Sequence, residues 1–508
     1  MFQLLTNEQM RRADTLTIES GVPSLELMEN AGCAVADAIS ATFGCSRTVV
    51  VVAGPGNNGG DGFVAARLLQ RRGCRVRVVL LDESSRLSGD AAVMARRYDG
   101  TAAPWRGDEF DPKAVIIDAI FGAGLARPVD GMAAALIQAI NRSRAHVVAV
   151  DLPSGVQGDT GAVMGAAVEA DRTVTFFRRK PGHILLPGRA HCGLTTVADI
   201  GIRNEVLTTI RPRLSVNTPA LWHHAFPMPQ VAGHKYSRGH TVVLSGALAS
   251  TGAARLAARA ALRAGSGLVT IASPADAVAV NAAASLAVMV READGVEGLS
   301  RLLEDPRLNA VVMGPGGGVG ETMRAKVRAA AAGDRALVLD ADALTSFGEN
   351  PKELFTILTN HRLSTAILSP HEGEFSRLFS KIDRVPSVKQ KLEAALAASH
   401  ETGAVLILKG PDTVVAAPDG RAAIAENAPP YLATAGAGDV LAGIAGGLRA
   451  QRMPAFEAAA AAVWVHGEAA CEVGPGLIAE DLTEALPKVY RRLFSSLALM
   501  RSDGPGHA

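Results

Sequence analysis

The stretch GPGNNGGDG (54–62) is the part of the chain whose residue types are most clearly suited to chemistry. It follows the apolar run TVVVVA and precedes a helix-like stretch, FVAARLLQRRG. Because backbone amides at a helix N-terminus attract anions, a buried strand that leads through a glycine-rich turn into a helix is typical of a phosphate site. The Gly-x-Gly-x-x-Gly spacing that starts at Gly54 fits a dinucleotide site, in which Asp82, at the end of the next apolar run, would bind a ribose.

Two more apolar runs end in carboxylates, at Asp118 in IIDAIFGAGLARP and at Asp151 in AVDLPSG. Ligands bind outside the carboxyl ends of parallel strands, and an unpaired carboxylate behind a buried strand is costly. Asn58 and Ser154 add neutral oxygens, and a carboxylate with neutral oxygens suits K⁺ better than Zn²⁺, which prefers Cys and His. The alternative is that Asp118 or Asp151 alone only shapes a turn, and that Asp61 caps the helix after the glycines.

A second candidate site lies in YLATAGAGDVLAG (431–443), where glycines and Asp439 open a predicted helix. Backbone amides there can stabilise a phosphoryl group in transfer, and a neighbouring carboxylate can take the proton of an attacking hydroxyl. His371 in SPHEGEF and Lys409 at the end of a strand are further candidates. Taken alone, GAGD also fits a tight turn with a capping aspartate, and His371 also fits a structural histidine. The chain has no Walker A pattern, which excludes an ordinary P-loop NTPase.

These loops need a scaffold, and the chain alternates strand-like with helix-like segments along most of its length. Short apolar runs rich in β-branched residues, separated by amphipathic segments, predict parallel sheets with helices on both faces. The pattern restarts after residues 217–239, which contain three prolines and little periodicity. We therefore expect an α/β protein with two domains, residues 1–214 and 218–497, and a boundary near residues 212–220.

The composition is that of a globular chain with large apolar cores. Of its 508 residues, 48% are hydrophobic and 20% are charged, which predicts two or more domains. The net charge of +1 predicts no nucleic-acid or membrane partner, and no apolar run approaches the ~20 residues of a membrane span. The five cysteines are scattered without a CxxC pair, which favours a reducing cytoplasm over a disulfide framework.

Four separated segments of the first half resemble one family. MENAG (28–32), GPGNNGGDG, DAIFGAGLARP (118–128) and DLPSG (151–155) occur in the order and spacing of the NAD(P)H-hydrate epimerase domain, the YjeF N-terminal family. The resemblance covers residues 1–210 and implies a Rossmann-like domain of αβα layers. The K⁺ ligands that it implies are Asn58, Asp118 and Ser154. The substrate contacts that it implies are Asn57, Asn58, Gly59, Gly60, Asp61, Gly122, Ala123, Gly124, Leu125, Ala126, Arg127, Pro128 and Asp151.

The second half, residues 218–497, resembles another family. HKYSRGH, GPGGG, SPHEGE, LKGPDTVVAAPDG and GAGDVLAG keep the motif order of the ADP-dependent NAD(P)H-hydrate dehydratase domain, which has a ribokinase-like αβα fold. The resemblance places these residues around the adenine nucleotide: Lys409, Gly410, Pro411, Asp412, Thr413 and Gly438. It places these residues against the substrate: Ala253, Gly318, His371 and Asp439. Ala437 stands where the family often has Ser or Thr, and Glu372 stands where Pro is common.

Together the two resemblances imply the repair of hydrated NADH and NADPH, in which water has added across the C5–C6 double bond of the nicotinamide ring. The first domain would interconvert the two C6 epimers with the help of K⁺, and Asp151 is the candidate for handling the proton. The second domain would return one epimer to NAD(P)H at the expense of ADP, with Mg²⁺ on the ADP phosphates, Asp439 as the base, and AMP and phosphate as products. The family also suggests a homo-oligomer, a tetramer or larger.

Two other functions fit the same motifs. The first half could be an NAD-dependent dehydrogenase domain and the second a ribokinase-type small-molecule kinase, although no residue stands out as the acid–base group of a dehydrogenase. The first half could also be a non-catalytic module, as in RNA-associated scaffolding proteins of the YjeF N-terminal fold. The chain lacks the basic or disordered segments of such proteins and keeps both Asp118 and Asp151. Without the resemblances, the residues support a two-domain α/β protein with two nucleotide-type sites.

Overall fold

The computed structural model of the chain describes residues 2–81, 87–361 and 365–502. Within this part the chain forms two compact units, residues 3–214 and the residues from Ser215 onward. Asp82, the predicted ribose ligand, lies outside the described residues. Among the described helices, none is long and apolar enough to cross a membrane.

The first unit alternates strands with helices along the chain. Its strands are β1 (Gln3–Leu4), β2 (Val49–Ala53), β3 (Val76–Leu80), β4 (Ala102–Pro104), β5 (Val115–Ala119), β6 (His146–Val150), β7 (Arg172–Phe176) and β8 (Leu194–Ala198). Its helices are α1 (Asn7–Glu19), α2 (Ser24–Phe43), α3 (Asn57–Arg71), α4 (Gly89–Arg96), α5 (Gly131–Arg142), α6 (Gly188–Cys192) and α7 (Val206–Ile210).

The strands β2 to β8 form one parallel sheet in the order β4-β3-β2-β5-β6-β7-β8. The chain moves outward from β2 in one direction and then returns to β5 and moves outward in the other. This is the strand order of a doubly wound, Rossmann-like sheet, and ligands of such sheets bind where the direction reverses, here between β2 and β5.

Different helices cover the two faces of this sheet. Val49 and Val51 of β2 belong to a core cluster with Phe63 of α3. Val50, between them, belongs to a second cluster with Leu136 of α5. Because side chains alternate between the two faces of a strand, both faces are buried and the unit has three layers. The predicted αβα arrangement of the first half is confirmed.

Helix α3 begins earlier than the sequence pattern predicts. Residues 57–62, which the sequence suggested as a loop, form its first turns, and Gly56 is the N-cap without a side-chain hydrogen bond. The alternative that Asp61 caps this helix is therefore wrong, because Asp61 lies inside the helix and is buried. A Cβ on Gly54 would lie 1.9 Å from the carbonyl oxygen of Ile120, so glycine at this position lets the β2–α3 turn approach the loop after β5.

A disulfide joins Cys45, which follows α2, to Cys74, which precedes β3, with their Cα atoms 4.5 Å apart. The scattered cysteines favoured a reducing cytoplasm over a disulfide framework, and this one bonded pair departs from that expectation. The chain between the two cysteines forms β2 and α3 and returns to the end of the sheet from which it started. The β2–α3–β3 path of the chain brings the two cysteines together, and no local sequence motif predicts the pair.

The second unit repeats the alternation. Its strands are β9 (Leu214–Val216), β10 (His240–Leu244), β11 (Leu268–Ser273), β12 (Met289–Glu292), β13 (Ala310–Met313), β14 (Ala336–Leu339), β15 (Ile367–Leu368), β16 (Val405–Leu408), β17 (Val414–Ala416) and β18 (Ala422–Ile424). Its helices are α8 (Pro219–Trp222), α9 (Thr251–Arg263), α10 (Val278–Ala283), α11 (Gly295–Leu302), α12 (Glu321–Ala331), α13 (Ala341–Thr345), α14 (Pro351–Asn360), α15 (Glu372–Phe379), α16 (Lys391–Thr402), α17 (Ala437–Ala450), α18 (Ala455–Val473) and α19 (Ala479–Ser502).

The sheet of the second unit includes the run β18-β17-β16-β15-β14-β13-β10-β11-β12. The pairs from β16 to β12 are parallel, as the sequence predicts, whereas β17 pairs antiparallel with both β16 and β18. Val312 and Val338 pack into the cluster of α9, α17 and α18, and Val311 and Leu337, on the opposite face, are also fully buried. Both faces are therefore covered here too, which confirms the α/β class.

Helices α9 and α17 touch through their backbones. A Cβ on Gly443 would lie 2.1 Å from the carbonyl oxygen of Ala257, and one on Gly447 would lie 2.5 Å from that of Ala261. A step of four residues along α17 corresponds to a step of four residues in the same direction along α9, so the two helices run parallel. Their N-termini therefore lie side by side. The glycines of α17 thus place its N-terminus beside that of α9.

We expect Gly443→Ala to destabilise the second unit by about 1–3 kcal/mol, because the added methyl group would force α9 and α17 apart. The matched control is Gly252→Ala in α9, where a Cβ would meet nothing within 4 Å. That change should be neutral or slightly stabilising, since Ala has the better helix propensity. Urea denaturation followed by tryptophan fluorescence, to which the buried Trp222 of the second unit contributes, measures both variants. Equal stabilities would contradict the close helix contact.

Candidate active sites

The first unit contains a cavity of about 710 Å³ at the carboxyl ends of β2, β5 and β6. The sequence-predicted residues that line it are Asn57, Asn58, Asp61, Gly122, Ala123, Gly124, Leu125, Ala126, Arg127 and Asp151. Pro128, which is exposed, is not part of the lining. Gly59 and Gly60 are not part of it either, because they serve the packing of α3: a Cβ on Gly59 would lie 2.0 Å from the Gly54 carbonyl oxygen. One on Gly60 would lie 2.6 Å from the Met28 sulfur.

Asp151 is held in this cavity by a buried lysine. Lys180 forms an ion pair with Asp151 Oδ1, and its side chain is only 1% exposed. Thr175 Oγ1 donates to the same oxygen over 2.9 Å, and the Ala123 N–H donates to Oδ2 over 3.2 Å. Burial opposes ionisation, but the Lys180 ammonium outweighs it and holds the pKa of Asp151 below its usual value. Asp151 also has a φ of 65°, in the left-handed region that residues other than glycine rarely adopt.

His183 supports this pair from the backbone side. Its Nε2 lies 2.7 Å from the Asp151 carbonyl oxygen, and the Lys180 N–H donates to its Nδ1 over 3.0 Å. Burial, followed by the charge of Lys180, lowers the pKa of His183 to about 4. The ring is therefore neutral, with the proton on Nε2 and the acceptor lone pair on Nδ1.

Three further carboxyl groups line the cavity, Asp61 from α3, Asp14 from α1 and Asp90 from α4. Burial, and then the charge of Asp151, raises the pKa of Asp61 well above its usual value. Burial raises the pKa of Asp14 to about 6, although Lys180 acts in the opposite direction. The cavity therefore combines one ionised, lysine-paired carboxylate with two carboxyl groups that hold their protons more strongly than an exposed aspartate does.

The three predicted K⁺ ligands lie around the loop after β5. The Ser154 N–H donates to Asp118 Oδ2 over 2.7 Å, and Ser154 Oγ donates to Asp118 Oδ1 over 2.5 Å. The Phe121 N–H in turn donates to Ser154 Oγ over 2.8 Å. The next residue, Gly122, lies against Asn58, because a Cβ on it would be 2.9 Å from Asn58 Oδ1. The structure thus brings Asn58, Asp118 and Ser154 to one loop.

These residues fit a monovalent cation with oxygen ligands. Asp118 is fully buried, and burial raises its pKa to about 6 in spite of the hydrogen bonds from Ser154, so a nearby positive charge would offset that burial. Within the described residues, Asn58 Nδ2 is buried without a hydrogen-bond partner. With the amide group turned over, its carbonyl oxygen would take that position, and carbonyl oxygens are K⁺ ligands.

In the second unit the candidate residues meet at the carboxyl ends of β13 to β16. Asp340 follows β14 and Lys409 follows β16. Lys409 Nζ donates to Asp340 Oδ1 over 2.7 Å and lies 4.0 Å from Oε2 of the buried Glu374. Gly438 lies beside this pair, since a Cβ on it would be 3.5 Å from Lys409 Nζ and 3.7 Å from Asp340 Oδ2. The N-terminus of α17 therefore adjoins the ends of the strands.

Asp439 lies in the first turn of α17, whose N-cap is Gly436 with a φ of 85°. Burial, and then the charge of Asp340, raises the pKa of Asp439 to about 6, while Lys409 limits the rise. At neutral pH the carboxylate is mainly ionised and yet more basic than an exposed aspartate. A proton acceptor with a pKa just below the working pH suits general-base catalysis.

Ala253 and Gly318 belong to the same neighbourhood as Asp439. Ala253 lies near the start of α9, with its Cβ 3.4 Å from where a Cβ on Gly316 would be. The Gly318 N–H donates to Asp342 Oδ2 over 2.9 Å. Asp342 is also one of the charges that raise the pKa of Asp439, which places Gly318 and Asp439 in one electrostatic environment.

His371 is the N-cap of α15. Its Nδ1 accepts from the Gly373 N–H over 2.9 Å and from the Glu374 N–H over 3.3 Å, while Glu374 Oε2 accepts from the His371 N–H over 2.9 Å. The imidazole side chain is 53% exposed, and its Nε2 lies 3.4 Å from Glu374 Oε1. Glu372 is the first residue of α15, a position that accepts proline and glutamate equally well. The departure from proline at this point leaves the helix start intact.

The predicted nucleotide segment, residues 409–413, is fixed by contacts within the protein. Thr413 Oγ1 donates to the Gly410 carbonyl oxygen over 2.7 Å, and the Gly410 N–H donates back to it over 3.1 Å. Lys391 Nζ donates to Asp412 Oδ1 over 2.6 Å, and both of these side chains are buried. Between them Pro411 is exposed at the surface. The structure thus gives Asp412 and Thr413 a part in shaping the loop.

Two family models match this chain, one in each unit. Residues 24–182 match the model of the YjeF-related protein N-terminus, and residues 241–488 match that of NAD(P)H-hydrate dehydratase. The bifunctional NAD(P)H-hydrate repair enzyme of Moorella thermoacetica is 35% identical over 99% of this chain and 99% of its own length. The chain belongs to the family of bifunctional NAD(P)H-hydrate repair enzymes. Another member, from Coxiella burnetii, is 34% identical over 95% of this chain and 98% of its own.

Solved structures that resemble this repair-enzyme family member match it over about half its length. The ADP/ATP-dependent NAD(P)H-hydrate dehydratase from Bacillus subtilis, co-crystallized with ATP/Mg²⁺, is 25% identical and covers 55% of this chain and 98% of its own, with a TM-score of 0.46. A ribokinase-like superfamily protein from Enterococcus faecalis is 22% identical and covers 54% of this chain and 95% of its own, with a TM-score of 0.48.

Three charged residues of the two sites, Asp14, Lys180 and Asp340, are not among those predicted from the sequence. Lys180 lies four residues after β7, and Asp340 comes directly after β14. Both therefore satisfy the strand-end criterion that identified Asp118 and Asp151, and applying it to every apolar run would have found them. Asp14 lies in the middle of a helix and gave no such signal.

Lys180→Met should lower the free energy of unfolding of the first unit by about 3 kcal/mol or more, because it leaves the Asp151 carboxylate buried without its cation. The double variant with Asp151→Asn should recover a large part of this loss, since no unpaired charge remains. Urea denaturation followed by circular dichroism measures both. Lys113→Met, at an exposed lysine of the same unit, is the control and should change stability by less than about 0.5 kcal/mol. Equal losses in the single and double variants would contradict the pairing.

Proposed function

We propose that the chain repairs hydrated NADH and NADPH in two steps, one in each unit. The first unit interconverts the C6 epimers, and the second dehydrates one epimer at the expense of ADP, giving AMP and phosphate. The observation that carries this proposal is the position of Asp439, a basic carboxylate at the amide-rich N-terminus of α17 and beside the Lys409–Asp340 pair. Similarity to proteins named as bifunctional NAD(P)H-hydrate repair enzymes, along 99% of the chain, supports it.

The second unit solves a leaving-group problem, because hydroxide leaves a carbon atom poorly and phosphate leaves it well. Asp439 takes the proton of the C6 hydroxyl while that oxygen attacks the β-phosphorus of ADP. The new O–P bond forms as the bond from the β-phosphorus to the oxygen of AMP breaks. The ring-nitrogen lone pair then expels phosphate from C6, and loss of a proton from C5 restores the C5–C6 double bond of NAD(P)H.

The surroundings of Asp439 supply positive charge for this transfer. The amides of residues 436–438 lie at the N-terminus of α17 and stabilise the charge that develops on the transferring phosphoryl group, although that of Ala437 also donates to the Thr434 carbonyl oxygen over 3.4 Å. Lys409, positioned by Asp340, lies next to Gly438 and adds a full charge. Mg²⁺, when bound, neutralises charge on the ADP phosphates. The segment 409–413 contacts the adenine nucleotide, and Ala253, Gly318 and His371 contact the substrate.

In the first unit, we assign the substrate to the cavity between the β2–α3 turn and the loop after β5. Asp151, kept ionised by Lys180, accepts a proton during epimerisation. Asn58, Asp118 and Ser154 hold K⁺, whose charge offsets the buried Asp118 carboxylate. Because the same loop carries the substrate-lining residues 122–127, an ion bound there would also fix the wall of the cavity.

Other properties stay predictions from the sequence and the family resemblance. They are assembly into a tetramer or larger homo-oligomer, location in the cytoplasm, and use of both NADH and NADPH. The combination of an NAD-dependent dehydrogenase with a small-molecule kinase is not favoured, because the relatives named as repair enzymes match along nearly the whole chain, without dividing it between two unrelated functions.

The test of this function is a repair assay with both epimers of hydrated NADH, ADP, Mg²⁺ and K⁺. We expect the dihydronicotinamide absorbance to return in full from either epimer, because the first unit supplies the second with the epimer that it uses. Without ADP, the epimers should interconvert and no absorbance should return. An absorbance that stops at the amount of one epimer would overturn the role of the first unit. No return with either ADP or ATP would overturn that of the second.

The potassium requirement is measured in the same assay. Replacing K⁺ by Na⁺ should slow the interconversion of the epimers and leave the dehydration of the reactive epimer unchanged, since only the first unit holds the proposed ion ligands. Equal rates of interconversion in the two salts would remove K⁺ from the proposal. A titration of the wild type avoids the ambiguity of an Asp118 variant, in which loss of the ion and misfolding would look alike.

Asp439→Asn should keep ADP binding and lower the rate of dehydration by about 10²–10⁴-fold, because the amide cannot accept the hydroxyl proton. Calorimetric titration with ADP and the absorbance assay measure the two effects. Asp334→Asn, at an exposed aspartate of the same unit, is the control and should retain the wild-type rate. A near-normal rate in Asp439→Asn would remove Asp439 from the role of base.

A further inference from the structure

Helix α1 lines the first-unit cavity with one face. The residues on this face are Asn7, Met10, Arg11, Asp14 and Ile18. They are spaced three and four residues apart, which is the spacing of neighbours on one side of a helix. The match to the family model of the first half begins at residue 24, after this helix. The cavity therefore has a wall that the sequence motifs do not describe.

Asp14 is the acidic residue of this wall. In the described part of the chain, no donor hydrogen-bonds to its carboxyl group, and the charges that act on it are those of Lys180 and Asp151. Burial raises its pKa to about 6. Asp14 is less buried than Asp61, which lies within α3, so it can exchange protons with solvent through the open side of the cavity.

Epimerisation at C6 needs a proton donor as well as a proton acceptor, because the C6 oxygen leaves only after it has been protonated. Asp151 is a poor donor, since Lys180 keeps it ionised. Lys180 itself is already committed to Asp151 and Thr175. Two carboxyl groups with a raised pKa line the cavity, Asp14 and Asp61, and Asp14 is the one of these two that retains contact with solvent.

On the basis of the function proposed above, we propose that Asp14 is the acid of the epimerase reaction, a catalytic residue that protonates the departing C6 oxygen, while Asp151 receives the proton of the incoming water. The donor then lies on α1 and the acceptor at the end of a strand of the sheet, on separate walls of one cavity.

The Asp14 carboxyl gives its proton to the C6 hydroxyl, the C6–O bond breaks, water leaves, and the lone pair of the ring nitrogen forms a double bond to C6. A water molecule then attacks C6 from the opposite face, the new C–O bond forms, and the electron pair of the double bond returns to nitrogen. The extra proton of that water goes to Asp151 and returns to Asp14 by exchange with solvent, so only the configuration at C6 has changed.

The donor also supplies a counter-charge for this route. Once Asp14 has given up its proton, its carboxylate lies in the same cavity as the intermediate, in which the double bond from nitrogen to C6 carries a positive charge. A fixed negative group stabilises a developing positive charge.

The experiment measures epimer interconversion by the full chain in the absence of ADP, starting from one purified epimer of hydrated NADH and separating the two by chromatography. Asp14→Asn should lower kcat by about 100-fold or more and change KM by less than about threefold, because it removes a proton donor and keeps the shape of the side chain. Dehydration of the reactive epimer should be unchanged. Asp14→Glu, which keeps a carboxyl group, should retain part of the rate.

The pH dependence of kcat/KM distinguishes a catalytic role of Asp14 from a structural one, because a purely structural residue would not change this dependence. The protonated form of Asp14 is required, so wild-type kcat/KM should fall as the pH rises through about 6, and Asp14→Asn should lack this decline. The other charged groups that line the cavity are Arg11, Asp61, Asp90, Arg127, Asp151 and Lys180. Since Asn cannot titrate, a decline that persists in Asp14→Asn would assign it to one of these groups and overturn the proposal.

Glu8→Gln, at an exposed position of the same helix, is the matched control and should keep the wild-type rate. Asp14→Asn should melt no lower than the wild type, because burial already disfavours the charge that the variant removes. A rate within about threefold of the wild type in Asp14→Asn would overturn the proposal. If the wild type itself does not interconvert the epimers, the proposed function of the first unit fails, which is a different result.

Discussion

A lysine paired with an aspartate at the carboxyl ends of parallel strands organises the charges of each site. In the first unit Lys180 keeps Asp151 ionised in a place where burial alone would neutralise it. In the second unit Lys409 pairs with Asp340, and the negative charge of Asp340 contributes to the raised pKa of Asp439. The pKa values of the neighbouring aspartates depend on these pairs. The position of each aspartate therefore decides whether it donates or accepts a proton, although all of them are carboxyl groups.

The strand-end criterion explains how much of both sites could be predicted from the sequence. A parallel sheet places the residues that follow its apolar runs at one edge, which suffices to bring Asp118 and Asp151 together and to associate Asp439 with a neighbouring strand end. The start of α3 could not be predicted, because Asn and Gly are weak helix formers and the close approach of Gly54 to the loop after β5 exists only in the folded unit. There tertiary packing overrides local propensity.

Long-range contacts account for the other differences between the sequence and the structure. Cys45 and Cys74 are brought together by the path of β2 and α3, and neither has a sequence neighbour that marks it. Asp14 lines the same cavity as Asp151, although most of the first domain separates the two residues along the chain. In the sequence, a charged residue on an amphipathic helix cannot be distinguished from an ordinary surface residue. Its role becomes visible only when the element that it faces in the fold is known.

The conformation of Asp151 restricts this position beyond its chemistry. A φ of 65° is accepted by glycine and, less readily, by asparagine and aspartate, whereas most other side chains pay about 1–3 kcal/mol for it. Among the three tolerated residues only aspartate carries the charge that Lys180 requires. Glutamate would keep the charge but strain the backbone. Asparagine would tolerate the backbone conformation but would lack the charge. The backbone conformation and the ion pair with Lys180 thus both require aspartate at this position. A substitution loses at least one of the two.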